Sequence, residues 1–146
     1  MTGIWDDAVG VQRLSDDQLA DALLAGASEA DWSEQAAVEL VVEQRSWLRR
    51  SEFRQAVEAE VGDDGQLCAW VDWTALAVDT PGSGGELRIL ALARSFGGVA
   101  SERSLADLLT SLDDTNIARV LRAVATACRG RSLLRSAMGD CREAVS

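Results

Sequence analysis

The chain has 146 residues, a formal net charge of −10 and 47% apolar residues. This length is enough for one domain with its own core, and the composition is typical of a globular protein rather than a disordered one. No apolar stretch approaches the roughly 20 residues that a membrane-spanning helix needs. We therefore predict a single domain over residues 1–146 that has no membrane partner.

The sequence contains no His, no Tyr and no Lys, so all 14 basic side chains are Arg. Without His, the commonest general base at neutral pH and the Ser-His-Asp type of catalysis are excluded within this chain. Without Lys, Schiff-base chemistry and a complete Walker A loop are excluded. We predict a protein that is not an enzyme and has no cofactor and no metal. One open alternative is carboxylate chemistry by Glu39 and Glu43, one helical turn apart.

Three cysteines, Cys68, Cys128 and Cys141, form no CxxC pair, which argues against a disulfide framework or a zinc cluster. The first seven residues, MTGIWDD, have neither the basic region nor the apolar region of a signal peptide. Both observations favour a reducing, cytoplasmic location. Cys128 has helical spacing with apolar residues before it and is predicted to be a buried thiol.

Helical periodicity runs through nearly the whole chain and predicts the all-α class, as a compact bundle of about five to seven helices. Ser15 and Gln18 have the spacing of a capping box, so the first helix begins there, and Gly26 suits the position just after its end. A long helix with a bend is predicted over about 32–60. After a turn at 63–65, a further helix is predicted over about 66–78.

Residues 79–85, DTPGSGG, are the clearest linker in the sequence. They allow two helical lobes, 1–78 and 84–130, joined at this point. Helices are predicted over about 84–96, after Ser104, and from Asp113 to about Arg129. Residues 131–146 are predicted to form a C-terminal tail.

Five Trp residues in a chain without Tyr are an unusual aromatic composition. Trp70 and Trp73 are three residues apart and are predicted to share one face of a helix, while Trp5 lies outside any strongly periodic segment. Trp fills cores but also dominates many protein interfaces. Trp5, Trp70 and Trp73 are therefore the candidate interaction residues, with core packing as the alternative.

Residues 105–124 have the order helix, short turn, helix that a DNA-reading helix-turn-helix shows, with Arg119 and Arg122 on the second helix. Asp113 and Asp114 would repel phosphate at the end that should enter the groove. The Gly-rich loop at 82–85 fits no phosphate-binding motif, and the other acid doublets mostly begin helices, where negative charge is favoured. We expect no direct nucleic-acid binding.

The C-terminal half carries two helix starts in sequence: SGGE at residues 83–86, followed by LDDTN at 112–116. In this pattern it resembles a group of small acidic α-helical proteins from actinobacteria and their phages. The resemblance covers residues 83–124 and implies a helical fold. It implies no activity, cofactor or catalytic residue. Within the motif we expect Asp113 to cap a helix that turns Ile117, Val120, Leu121 and Val124 toward the core.

These observations predict an interaction or accessory protein that binds a protein partner or its own copy through apolar and Trp surface. Its charge is uneven, because residues 1–44 are strongly acidic whereas residues 117–146 carry six Arg against two acids. Opposite ends of this kind can complement each other between subunits. The acidic segment also supports an alternative, an acidic mimic of DNA that inhibits a DNA-binding enzyme.

Overall fold

The structure is a computed structural model that describes residues 8–76 and 82–129. Most of these residues are helical, as predicted. The helices are α1 (Ala8–Arg13), α2 (Asp16–Ala27), α3 (Trp32–Gln44), α4 (Ser51–Gln55), α5 (Gly84–Phe96), α6 (Leu105–Thr110) and α7 (Asp114–Arg129), with a 3-10 turn at Ser46–Arg49. Two strands, β1 (Val57–Val61) and β2 (Leu67–Val71), show that the strictly all-α prediction is wrong.

The strands pair antiparallel as a hairpin, with Val57 opposite Val71 and Val61 opposite Leu67. The predicted turn at 63–65 is confirmed, but it joins two strands instead of two helices. Gly65 has φ +80° there, a conformation that glycine adopts without strain. The inner face of the hairpin packs against α2, so residues 57–71 contribute to the core as a sheet.

The predicted long helix over 32–60 is wrong because α3 ends at Gln44. Arg45 takes a left-handed backbone conformation, with φ 67°, and the 3-10 turn follows at once. This turn places Trp47 and Leu48 in the core, where both are fully buried. The Trp47 indole donates a hydrogen bond to the Glu86 backbone carbonyl at 3.1 Å. Breaking the helix therefore brings a large aromatic side chain against α5.

Helix α3 is the central element, since it packs against α2, α5 and α7. One continuous cluster of buried residues includes members from both predicted lobes. An apolar stripe of α3, formed by Ala37, Leu40 and Val41, is buried within it. Residues 77–81 of the proposed lobe junction and the predicted tail at 131–146 lie outside the described residues.

The predicted helix caps fix where several elements begin. Ser15 and Gln18 form the expected capping box, and Ser83 forms a second one with Glu86. In each box the serine oxygen accepts from the backbone N–H three residues on, while that residue's side chain accepts from the serine N–H. The sequence thus predicted the starts of α2 and α5 correctly.

Gly26 is not at a helix end as predicted, because α2 continues through Ala27. Its role is a close approach between elements. A Cβ atom at Gly26 would lie 2.1 Å from the Ala69 backbone oxygen, far inside any real contact. The missing side chain lets β2 lie directly on α2.

Candidate interaction surface

Helix α7 packs against α3 through short side chains, some of which are polar. The first turn is capped by Asp113, whose carboxylate accepts from the Asn116 N–H at 2.8 Å. Val120, Ala123 and Thr126 are buried along the contact. Because Ala and Thr are short, this face lets the two helices approach closely.

Two polar contacts set the rotation of α7 about its own axis. The Thr126 hydroxyl donates to the Glu39 carboxylate at 3.0 Å, and Arg122 Nε donates to Glu43 at 2.7 Å. Glu39 and Glu43, the acid pair that had been considered for catalysis, are therefore structural partners of α7. With Arg122 and Thr126 held against α3, the helix must turn its larger apolar residues elsewhere.

Those larger residues form an exposed apolar row, which we call the α7 stripe: Ile117, Leu121, Val124 and Cys128. The first three are 38%, 58% and 44% exposed, and the Cys128 thiol is free and exposed. The predictions that Ile117, Leu121 and Val124 face the core and that Cys128 is buried are wrong. Only Val120 of the predicted core set is buried.

The α7 stripe has the geometry of a helix-pairing seam. Its residues are spaced by four, three and four positions, the spacing of apolar a and d residues in a coiled coil. Ala118 and Ala125 lie at intervening positions and are only partly exposed. Short side chains beside the seam leave room for a second helix to pack closely.

Charge is distributed unequally along α7. Asp113 and Asp114 are exposed at its start. The sequence is basic at its other end, with Arg129 as the last helical residue and Arg131 two positions later. A helix that packs antiparallel to α7 and repeats this pattern would match acidic ends with basic ends.

Trp73 is not available for binding at the surface. It is 4% exposed, and its indole N–H donates to both carboxylate oxygens of Glu34, at 3.1 and 3.0 Å. Burial raises the pKa of Glu34 above its usual value, although the hydrogen bond from Trp73 acts in the opposite direction. Gly97 accommodates the ring, because a Cβ atom there would lie 2.4 Å from Trp73 Cδ1. Trp73 is therefore part of the core.

Trp70 is partly accessible, with 38% of its surface exposed. It lies in β2, whereas Trp73 lies in the turn after that strand, so the predicted shared helical face is wrong. The Trp70 indole donates to the Gly26 carbonyl at 3.2 Å, which ties the ring to α2. Trp5, the third candidate, lies outside the described residues. Neither Trp70 nor Trp73 belongs to the α7 stripe.

The two arginines of the rejected DNA-reading hypothesis have intramolecular partners. Arg119 donates to the Asn116 side chain at 2.7 Å, and Arg122 binds Glu43. Within residues 8–76 and 82–129, no three potential ligands from His, Cys, Asp and Glu are grouped as a metal site requires. In the same ranges no helix is long and apolar enough to cross a bilayer.

Comparison with known proteins adds no relative. No protein-family model matches the chain, and no curated protein or solved structure is significantly similar to it. The site is therefore argued from its own geometry.

The sequence predicts helix α7 correctly, but the face that it predicts to lie in the core is the wrong one. The helix bounds and its strong amphipathic pattern were predicted from Asp113 onward, and apolar residues on such a pattern normally face the core. The available signal was the second row, where Ala123 and Ala127 alternate with Thr126. Small residues at helical spacing indicate close helix packing, but Ala118 and Ala125 give the opposite face the same pattern, so this signal does not distinguish the buried side.

Proposed function

We propose that the protein is a non-catalytic interaction module whose binding surface is the α7 stripe and whose partner is a second copy of the same chain. The observation that carries this proposal is the exposed row of Ile117, Leu121, Val124 and Cys128. The free energy of the system falls when a partner covers an apolar row on a helix and removes it from water. The predicted cytoplasmic location remains part of this proposal.

Charge complementarity favours an antiparallel pair related by a two-fold axis. In that arrangement Ile117 meets Cys128 of the second copy, and Leu121 meets Val124 of the second copy. The acidic start of each helix then lies beside the basic end of the other. A parallel pair would bring Asp113 and Asp114 against the same residues of the second copy, which costs free energy.

The acidic-inhibitor alternative has less support from the described contacts. Asp16 and Asp17 form ion pairs with Arg49, Arg54 and Arg45. Glu34, Glu39 and Glu43 bind side chains of Trp73, Thr126 and Arg122. Five of the ten acids in residues 1–44 thus have partners within the fold, although the Asp17 side chain is 85% exposed.

The proposal is tested by the concentration dependence of the molecular mass in analytical ultracentrifugation. We expect the wild-type protein to form a weak dimer and Leu121→Glu to be monomeric, since a charge at the centre of the seam would be desolvated. Leu24→Glu is the matched control, because Leu24 is also exposed, at 41%, but lies on α2. A wild-type protein that stays monomeric, or equal effects of both variants, would contradict the proposal.

Helix orientation is tested by disulfide mapping. In a Cys68→Ser, Cys141→Ser background, Ile117→Cys should form a disulfide between positions 117 and 128 of different copies under mild oxidation. Mass spectrometry of the digested dimer identifies the linked peptides. Disulfides that instead join two copies of Cys128 would show a parallel pair and reject the antiparallel arrangement.

A further inference from the structure

A second feature, separate from the α7 stripe, is a cavity of about 390 Å³ between α5 and the segment 99–108. Leu87, Arg88, Ala91 and Arg94 line it from one side of α5. Glu102 and Arg103 are among the residues that line it from the opposite segment. Its volume falls in the range of small-molecule sites, which is about 300–1,000 Å³.

The charge of this cavity is opposite to that of the chain. Three arginines and one glutamate line it, whereas the whole protein carries −10. Arg88, Arg94 and Arg103 form no ion pair with any acid among the described residues, although five other pairs occur there. In the part of the chain that the structure describes, three cations around one cavity thus lack carboxylate partners.

Among these arginines, Arg88 has a hydrogen-bond donor that needs an acceptor. Its Nε atom is buried and has no hydrogen-bond partner within residues 8–76 and 82–129. A buried donor without an acceptor destabilises the fold, and a charged donor does so more strongly. Gly84 leaves space for this guanidinium, because a Cβ atom at Gly84 would lie 3.1 Å from Arg88 Nη1.

Arg94 is held in place from the other side. Its Nε donates to the Trp73 backbone carbonyl at 3.2 Å, so the start of its guanidinium is fixed by the core. The cavity wall between the arginines is apolar, formed by Leu87, Leu90 and Ala91 with Leu108 opposite. The guanidinium of Arg94, held by the Trp73 carbonyl, and an apolar wall together suit a ligand that has an anionic group on an apolar body.

We propose that this cavity binds a small organic anion, a phosphate or carboxylate attached to a compact apolar group. Guanidinium groups bind both kinds of anion through charge-assisted and often bidentate hydrogen bonds. The anion binds the guanidinium groups that line the cavity, while the apolar group covers Leu87, which is 37% exposed. This site does not depend on self-association through α7.

The proposal is tested by NMR titration of the full-length protein with three probes. Phenyl phosphate carries both features, inorganic phosphate lacks the apolar group, and phenol lacks the charge. We expect saturable shifts in α5 and residues 99–108 with phenyl phosphate, and affinity lower by about tenfold or more for each of the other two. Equal affinity for phenol, equal affinity for inorganic phosphate, or no saturable shift would overturn the proposal.

Substitutions then assign the binding to the arginines. Arg88→Met should weaken phenyl phosphate binding about tenfold or more, whereas Arg13→Met, an equal charge change at an exposed α1 position, should leave it unchanged. Arg103→Met gives a second test at an exposed residue of the cavity rim, where folding is not at risk. Binding that survives both cavity substitutions would reject the site.

Discussion

Among single residues, Arg54 shows how one interior cation can organise several segments. It is 6% exposed, and its guanidinium donates to the backbone carbonyls of Leu48 and Leu14 at 2.6 Å each and of Val11 at 3.0 Å. It also binds Asp16 at 3.2 Å. These bonds join α1, the start of α2 and the 3-10 turn around one fork-shaped group.

We predict that Arg54→Lys destabilises the protein by about 2–3 kcal/mol, since an ammonium cannot reach carbonyls on several sides at once. Urea unfolding followed by far-UV circular dichroism measures the change. Arg49→Lys is the control, because Arg49 binds the same Asp16 with a 70% exposed side chain. That surface pair should change stability by less than about 1 kcal/mol. Similar losses in both variants would show that the carbonyl contacts of Arg54 contribute little.

At the level of elements, Gly26 and Gly85 give a matched pair of helical glycines. Gly26→Ala should cost about 1–3 kcal/mol, because its Cβ would meet the Ala69 carbonyl at 2.1 Å and force α2 from β2. Gly85→Ala should be neutral or stabilising by up to about 1 kcal/mol, since its Cβ would make ordinary contact, at 3.6 Å, with Asn116.

Thermal and urea unfolding of both variants check this prediction. A Gly26→Ala protein as stable as the wild type would show that α2 and β2 can separate without loss. A strongly destabilised Gly85→Ala protein would instead show that helix propensity does not govern the start of α5.

The hairpin shows what local sequence could and could not predict. Residues 57–61, VEAEV, alternate between apolar and acidic residues, which is the strand period. Glu and Ala also favour helix, so the segment was assigned to the preceding helical pattern. The strand pairs with residues 67–71, and that second strand packs on α2, where Ala69 lies against Gly26 over 40 positions away in the chain. No local pattern reveals these contacts.

The same limit applies to α7. Capping residues fixed where the helix begins, because a cap acts within three residues of itself. Which face is buried depends on Glu39 and Glu43, which lie about 80 residues before their partners Thr126 and Arg122. The sequence does not predict the arginine cavity either, because its two sides come from α5 and from residues 99–108.

For the molecule as a whole, Glu86 is a point where the N-terminal residues join α5. Its carboxylate binds Arg50 at 2.7 Å and caps α5 through the Ser83 N–H. A hydrogen bond from the Ser46 side chain, with those from Ser83 and Arg50, lowers the pKa of Glu86 to about 2, against the opposing effect of burial. Arg50 also lies over the Trp47 ring, 4.7 Å from its centre.

We predict that Glu86 makes the protein sensitive to acid. Because its pKa is lower in the folded state than the usual 4.5, its contribution is fully present above that value and is lost as pH falls toward about 2. The raised pKa of Glu34 acts with the opposite sign, since the folded state there favours the protonated form. Comparison with Glu86→Gln isolates Glu86 from Glu34.

The measurement is urea unfolding of the wild type and Glu86→Gln between pH 7 and pH 2. Gln also serves at this capping-box position, so the helix start is retained. The wild type should be more stable at pH 7, and the difference should shrink as pH falls below about 4.5. A difference that stays constant across this range would show that the Glu86 charge does not stabilise the fold.

The central position of α3 also has a consequence for synthesis on the ribosome. The face of α3 that α7 covers is made about 70 residues before α7 itself. At 5–20 residues per second, that face waits for roughly 4–14 s before its covering helix exists. During this interval the core of the nascent chain is incomplete. If translation stops before residue 114, α7 is never made and this face of α3 stays uncovered. Such products should be substrates for chaperones and proteases, whereas chains that include α7 can cover this face of α3.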